Sequence, residues 1–137
     1  MKEDCIFCKI VKGEIPCGKL YEDETVLAFL DVNPWSKGHC LVIPKAHYSC
    51  LDECPDEIIA VVSKKIPLVA RAVVKVVQAE AYNVLNNNGR AAGQLVNHVH
   101  FHIIPRKSND GIIKHAPQGK PNSDELEDLA QRIIHEL

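Results

Sequence analysis

The sequence predicts one mixed domain of strands and helices, and three observations carry that reading. The chain has 137 residues, a length that fits a single domain and can bury one proper core. Several short apolar runs are bounded by Gly, Pro, Asn and Asp, as strands are. Between them, Ile58, Val62, Ile66, Val69, Val73 and Val76 recur at steps of three or four, which marks one face of a long helix.

Taken in order, "LYEDE" (20–24) and "TVLAFLDV" (25–32) read as strands joined by an acidic turn. "NPWSKGH" (33–39) is rich in breakers and reads as a loop. "CLVIP" (40–44) is a short strand that Pro44 limits. Pro55 suits the first turn of a helix, and Asp56 and Glu57 suit its positive end. That helix runs to about Gln78. Pro67 lies inside it, costs about 3 kcal/mol and predicts a kink or a split. The valine-rich run 73–77 competes as a strand. "AYNVLNNN" (81–88) and "NHVHFHIIP" (97–105) read as further strands, with the glycine-containing loop "NNGRAAGQ" between them. Residues 106–121 form a polar surface stretch. A short amphipathic helix ends the chain, capped by Asn122 or Ser123. Its stripe is Leu126, Leu129, Ala130, Ile133, Ile134 and Leu137.

Composition excludes several function classes. Hydrophobic residues are 46% and charged residues 25%, the balance of an ordinary soluble chain. A formal net charge of −2 and the lack of a dense Lys/Arg cluster argue against nucleic-acid or membrane partners. No apolar run is long enough to cross a bilayer. The first residues carry acids and lysines where a signal peptide would be apolar, so the expected location is cytoplasmic. Six cysteines then read as metal ligands or buried thiols rather than disulfides.

Three of the seven histidines stand at 98, 100 and 102. A period of two places them on one strand face, with Val99, Phe101 and Ile103 turned to a core. A lone strand histidine is ordinarily a polar residue on a wet face. Three in alternation ask for more, because Thr, Lys or Glu fill such positions more easily. One reading is a metal site, since His-x-His can supply two zinc ligands. The other is nucleophilic catalysis: a neutral imidazole attacks phosphorus without prior deprotonation, and neighbouring imidazoles donate to the phosphoryl oxygens. The adjacent loop favours the second. Gly89 and Gly93 allow backbone N–H groups to approach an anion, although Asn88-Gly89 alone would be read as a hairpin turn.

"CIFC" sets Cys5 and Cys8 at Cys-x2-Cys spacing. A redox pair should open a helix within a βαβ unit, and no such pattern surrounds it. Two buried thiols remain one reading. Half of a tetrahedral zinc site is the other, with His47 and His98 as candidate partners. Cys17, Cys40, Cys50 and Cys54 have no such spacing.

"HVHFHII" resembles the defining motif of the histidine triad family. "CIFCKIVKGEIP", "VLAFLDVNPWSKGHCLVIPKAH" and "LNNNGRAAGQLVNHVHFHIIPR" are also similar to that family's segments, in its order, over roughly residues 5–106. The pattern looks most like the Hint branch in its bacterial form; the His-Pro-His-Gln pattern of the uridylyltransferase branch is missing. The resemblance implies an α+β histidine triad fold: an antiparallel sheet with a long packed helix and a short C-terminal helix. It implies one domain over 1–137, with its core at about 5–106 and a C-terminal extension at 107–137. It also implies a homodimer, a purine-nucleotide pocket, and hydrolysis or transfer of nucleotidyl groups from nucleoside phosphoramidates or dinucleoside polyphosphates.

By position, the resemblance makes His100 the nucleophile, with a covalent nucleotidyl-imidazole intermediate, and sets His102 and His39 beside the phosphate. Asp31 would hold the ribose hydroxyls, where a carboxylate suits two donors. Asn87, Gly93 and Gln94 would line the phosphate. Phe29 and Val32 fall near the base, with Ile6 and Phe7 adding to that wall; Phe29, Ile6 and Phe7 read equally as core residues. Cys5, Cys8, His47 and His98 match the family's structural zinc ligands. One departure is Leu95, where many Hint-type members carry Ser or Thr. Losing a hydroxyl donor there costs on the order of 1–3 kcal/mol in the transition state. Two rival readings remain: a metallohydrolase with zinc held by the triad, and a non-catalytic nucleotide-binding module.

Overall fold

The computed structural model of the chain describes residues 2–114 and 117–137. Cys5 caps a short helix, α1 (Ile6–Val11), its Sγ accepting the Cys8 N–H at 3.5 Å. Six residues are too few for a periodicity, so the sequence pattern predicts no helix here. β1 (Lys19–Glu22) and β2 (Val26–Leu30) form a hairpin. Asp23 closes it by accepting the N–H groups of Thr25 and Val26 at 2.8 and 2.7 Å, a local side-chain turn. β3 (Cys40–Pro44) pairs with β2 from Val26↔Pro44 to Leu30↔Cys40.

The long helix α2 (Asp56–Val77) is continuous through Pro67 and keeps the valine run. Neither a split nor a strand forms. Pro67 lies on the exposed face, where the carbonyl it frees can meet water. The opposite face buries Val62, Ile66, Val69, Ala70 and Val73, and burial over 22 residues outweighs both the proline and the β-preference of valine. Gln78 ends the helix in the left-handed region at φ 56°.

β4 (Ala81–Leu85) and β5 (Phe101–Arg106) complete an antiparallel sheet of order β1-β2-β3-β5-β4. This is the expected α+β arrangement. α3 (Ser123–His135) is capped by Asn122, whose side chain accepts the Glu125 N–H at 2.9 Å. The first two strands are shorter than expected, and two further boundaries differ. β4 stops before Asn86, and β5 starts at Phe101, so His98 and His100 precede the strand. The polar stretch 106–121 is mostly exposed where it is described; positions 115 and 116 lie outside the described residues.

The central strands are buried on both faces, which is why they read as unbroken apolar runs. Val26, Ala28, Cys40, Val42 and Ile103 pack under α2. Leu27, Phe29, Leu41 and Ile43 face the other way, onto Cys5, Phe7 and Cys8. α1 thus covers the face that carries the histidines.

Candidate active site

Five imidazoles in two groups, His47 with His98 and His39 with His100 and His102, occupy this side of the sheet, and hydrogen bonds fix the tautomers of four of them, His39, His98, His100 and His102. Near Pro44, His98 donates from Nε2 to the Pro44 carbonyl at 2.8 Å. Its Nδ1 lone pair therefore faces the thiols, 3.5 Å from Cys5 Sγ and 3.6 Å from Cys8 Sγ. His47 Nδ1 lies 3.4 Å from Cys8 Sγ. These four residues form one group able to hold a metal ion. Burial raises the Cys5 thiol and pushes His98 down to about 4.

His100 donates from Nδ1 to the His98 carbonyl at 2.7 Å. That leaves Nε2 as its lone-pair nitrogen. The ring is 5% exposed, meets the edge of Phe7 at 5.2 Å and forms part of a cavity wall. Burial lowers its basicity.

His102 sits at the opposite end of the row. The backbone N–H of Trp35 donates to His39 Nδ1 at 2.9 Å, so neutral His39 carries its proton on Nε2. That N–H donates to His102 Nδ1 at 2.9 Å, with Asp31 Oδ2 3.5 Å away. His102 must then bear its proton on Nε2, as a donor. Burial, reinforced by His100 and His39, pushes His102 down to about 4. His39 is also lowered by burial, against the pull of Asp31. Both are neutral at pH 7.

The cavity has a volume of about 320 Å³. It brings together Ile6, Phe7, Phe29, Asp31, Val32, His39, Asn87, Gly93, Leu95, His100 and His102. Leu95 is 89% exposed at this wall. Gln94 is not among the lining residues. It is buried, accepts the Gly89 N–H at 2.8 Å and donates to the Ser49 and Val96 carbonyls at 2.7 and 3.0 Å. Its amide braces the loop. The three asparagines divide similarly: Asn86 donates to the His100 carbonyl, Asn88 accepts the Leu51 N–H, and Asn87 faces the cavity.

The sequence reading missed Trp35. Its ring stacks on His102 at 6.5 Å between centroids and 21° between planes. The only signal was a tryptophan left half exposed in a breaker-rich loop between Asp31 and His39.

The sequence model of the HIT domain family matches residues 12–109. The chain belongs to the HIT domain family. This HIT-domain chain is 52% identical over 110 residues to Adenylylsulfatase HINT3 of Arabidopsis thaliana, covering 80% of itself but 56% of that relative. It therefore spans little more than half of that protein's length. It is 50% identical to Adenosine 5'-monophosphoramidase hnt1 of Schizosaccharomyces pombe, over 97% of this chain and 98% of the relative. A solved Streptococcus mutans protein superposes with a TM-score of 0.95 at 44% identity, covering 99% of this chain and 87% of that one. A zinc-bound histidine triad protein of Mycobacterium smegmatis superposes with a TM-score of 0.76 at 33% identity, covering 98% of each chain. The family resemblance and the fold read from the motifs are both borne out.

Proposed function

We propose that this HIT-domain protein is a hydrolase and nucleotidyl transferase that cleaves purine nucleoside phosphoramidates through a covalent nucleotidyl intermediate on His100. One observation carries the reading: the His98 carbonyl accepts a hydrogen bond from the Nδ1–H of His100, leaving the Nε2 lone pair for a phosphorus atom in the cavity. His100 Nε2 forms the N–P bond as the P–N bond to the leaving amine breaks. His102, with Nε2–H held ready by His39, donates to the phosphoryl oxygens or the departing nitrogen. Water then attacks phosphorus and frees the imidazole. Asp31 receives the ribose hydroxyls, Asn87 and Gly93 lie along the phosphate, and Phe29, Val32, Ile6 and Phe7 face the base.

The names of the relatives support this chemistry, since a monophosphoramidase and an adenylylsulfatase both break a bond at a nucleotide α-phosphorus. The rival with zinc held by the three triad histidines fits less well. His98 serves the thiols, and the His39 Nε2–H occupies the Nδ1 lone pair of His102.

Structural zinc belongs to Cys5, Cys8, His47 and His98. Zn–S near 2.3 Å and Zn–N near 2.0 Å give tetrahedral S···N edges of roughly 3.5 Å, which the separations here match. Bound there, the ion would hold both thiols as thiolates and tie α1 to the histidine segment. We further propose a homodimer, and a cytoplasmic location, where a reducing environment keeps the two thiols available. No helix among the described residues is long and apolar enough to cross a membrane.

The test is to mix the protein with adenosine phosphoramidate, quench rapidly and weigh the intact chain. An adenylyl adduct that maps to His100 and disappears on turnover is expected. Turnover with no adduct at any quench time, abolished at once by chelator, would establish the metal-centred rival. Nucleotide binding without turnover would leave a non-catalytic module.

A further inference from the structure

Among the described residues, no side chain of α3 is buried. Leu126, Leu129, Ile133 and Ile134 are each about half exposed, between 50% and 56%. The Streptococcus mutans superposition covers 99% of this chain at a TM-score of 0.95, which includes α3. The superposed length thus extends over α3. A helix with an uncovered apolar face calls for a partner surface.

On the far side of the sheet from the cavity, α2 and the first hairpin leave a groove of about 560 Å³. Leu68 and Val76 of α2 and Leu20 and Leu30 of the hairpin line it, each exposed by 40% or more. From Leu68 to Val76 the groove runs eight residues, about 12 Å of helix; the stripe from Leu126 to Ile134 has the same length. The charges also match. Lys64, Arg71 and Lys75 stand three or four residues apart beside Leu68, forming a basic rim. The stripe of α3 is flanked by Glu125 and Glu136 on one side and Glu127 on the other.

We infer that α3 of one copy seats its stripe in the α2–hairpin groove of a second copy, with Glu125 and Glu136 against that copy's basic rim. The arrangement is reciprocal, so a two-fold dimer carries two such seats. The inference rests on the proposed dimer and names the element that clasps it.

Two full-length variants test it by sedimentation and native mass spectrometry. The first carries Lys64→Glu, Arg71→Glu and Lys75→Glu. The second carries Glu125→Lys, Glu127→Lys and Glu136→Lys. Each alone sets like charges against each other at both seats and should weaken its dimer by about tenfold or more. Mixed in equal amounts, they should form a heterodimer in preference to either homodimer, because both seats regain opposite charges. Recovery on mixing also shows that both variants are folded. If the unmodified chain is a dimer but the variants match it, or fail to prefer each other, the clasp is overturned and the dimer stands. A monomeric unmodified chain overturns both.

Discussion

His98 and His102 stand four residues apart on one segment, and burial brings both to about 4. Their neighbours give them opposite tasks. A backbone acceptor, the Pro44 carbonyl, holds the Nε2 proton of His98 and turns a lone pair toward two thiols. A donor, His39 Nε2–H, fills Nδ1 of His102 and turns an N–H outward instead. His100, between them, follows the first pattern with its nitrogens exchanged. The partner on the far nitrogen decides whether an imidazole binds a cation, attacks phosphorus or donates a proton.

This contrast is broken most severely at His100. His100→Ala removes the proposed nucleophile, and kcat/KM on adenosine phosphoramidate should fall by about 10³-fold or more, with thermal unfolding little changed. Retained turnover would end the covalent mechanism.

Next in size, Cys8→Ser should separate the two ends of the row. Loss of a ligand to the proposed zinc should lower the unfolding midpoint by roughly 10 °C, corresponding to about 2–3 kcal/mol in a domain of this size. The activity of the folded fraction should fall much less. A kcat collapse without any change in Tm would place the metal in the chemistry.

A pH profile sharpens the comparison without mutation. His102, near 4, and His39, also lowered, stay neutral below the ordinary imidazole value of 6.5. A depressed folded value means the neutral form is present above it and is lost only as pH falls through it. The acid limb of kcat/KM should therefore lie below pH 6.5, with metal content measured at each pH to separate loss of the clasp. An inflection at 6.5 or higher would contradict the buried, neutral relay.

The smallest effect is expected at Leu95. Leu95→Ser adds a hydroxyl at the cavity wall and should raise kcat/KM by about fivefold, the worth of roughly 1 kcal/mol. An unchanged value would mean that no reacting group passes within reach of that position.

Much of this site lay in plain view as spacing. Alternation exposed His98, His100 and His102, the Cys-x2-Cys interval exposed Cys5 and Cys8, and the three-four periodicity exposed the buried face of α2 as far as Val73, although Val76, the last residue of that pattern, is 80% exposed. These patterns are local, because a strand or helix maps sequence interval directly onto direction. The same locality explains the misses. Six residues of α1 carry no period. Pro67 argued for a break because its cost is local, while the burial that outweighs it comes from strands elsewhere in the chain.

Tertiary structure alone decided the finer chemistry. The proton on His98 is placed by Pro44, 54 residues away, and that on His102 by His39, 63 residues away. Gln94 turns inward because the Ser49 carbonyl, 45 residues distant, takes its amide. Residue types and their intervals set which groups could react. Folding brought distant donors and acceptors within 3 Å of them, and hydrogen bonds at that range choose the tautomer, the facing atom and so the role of each side chain.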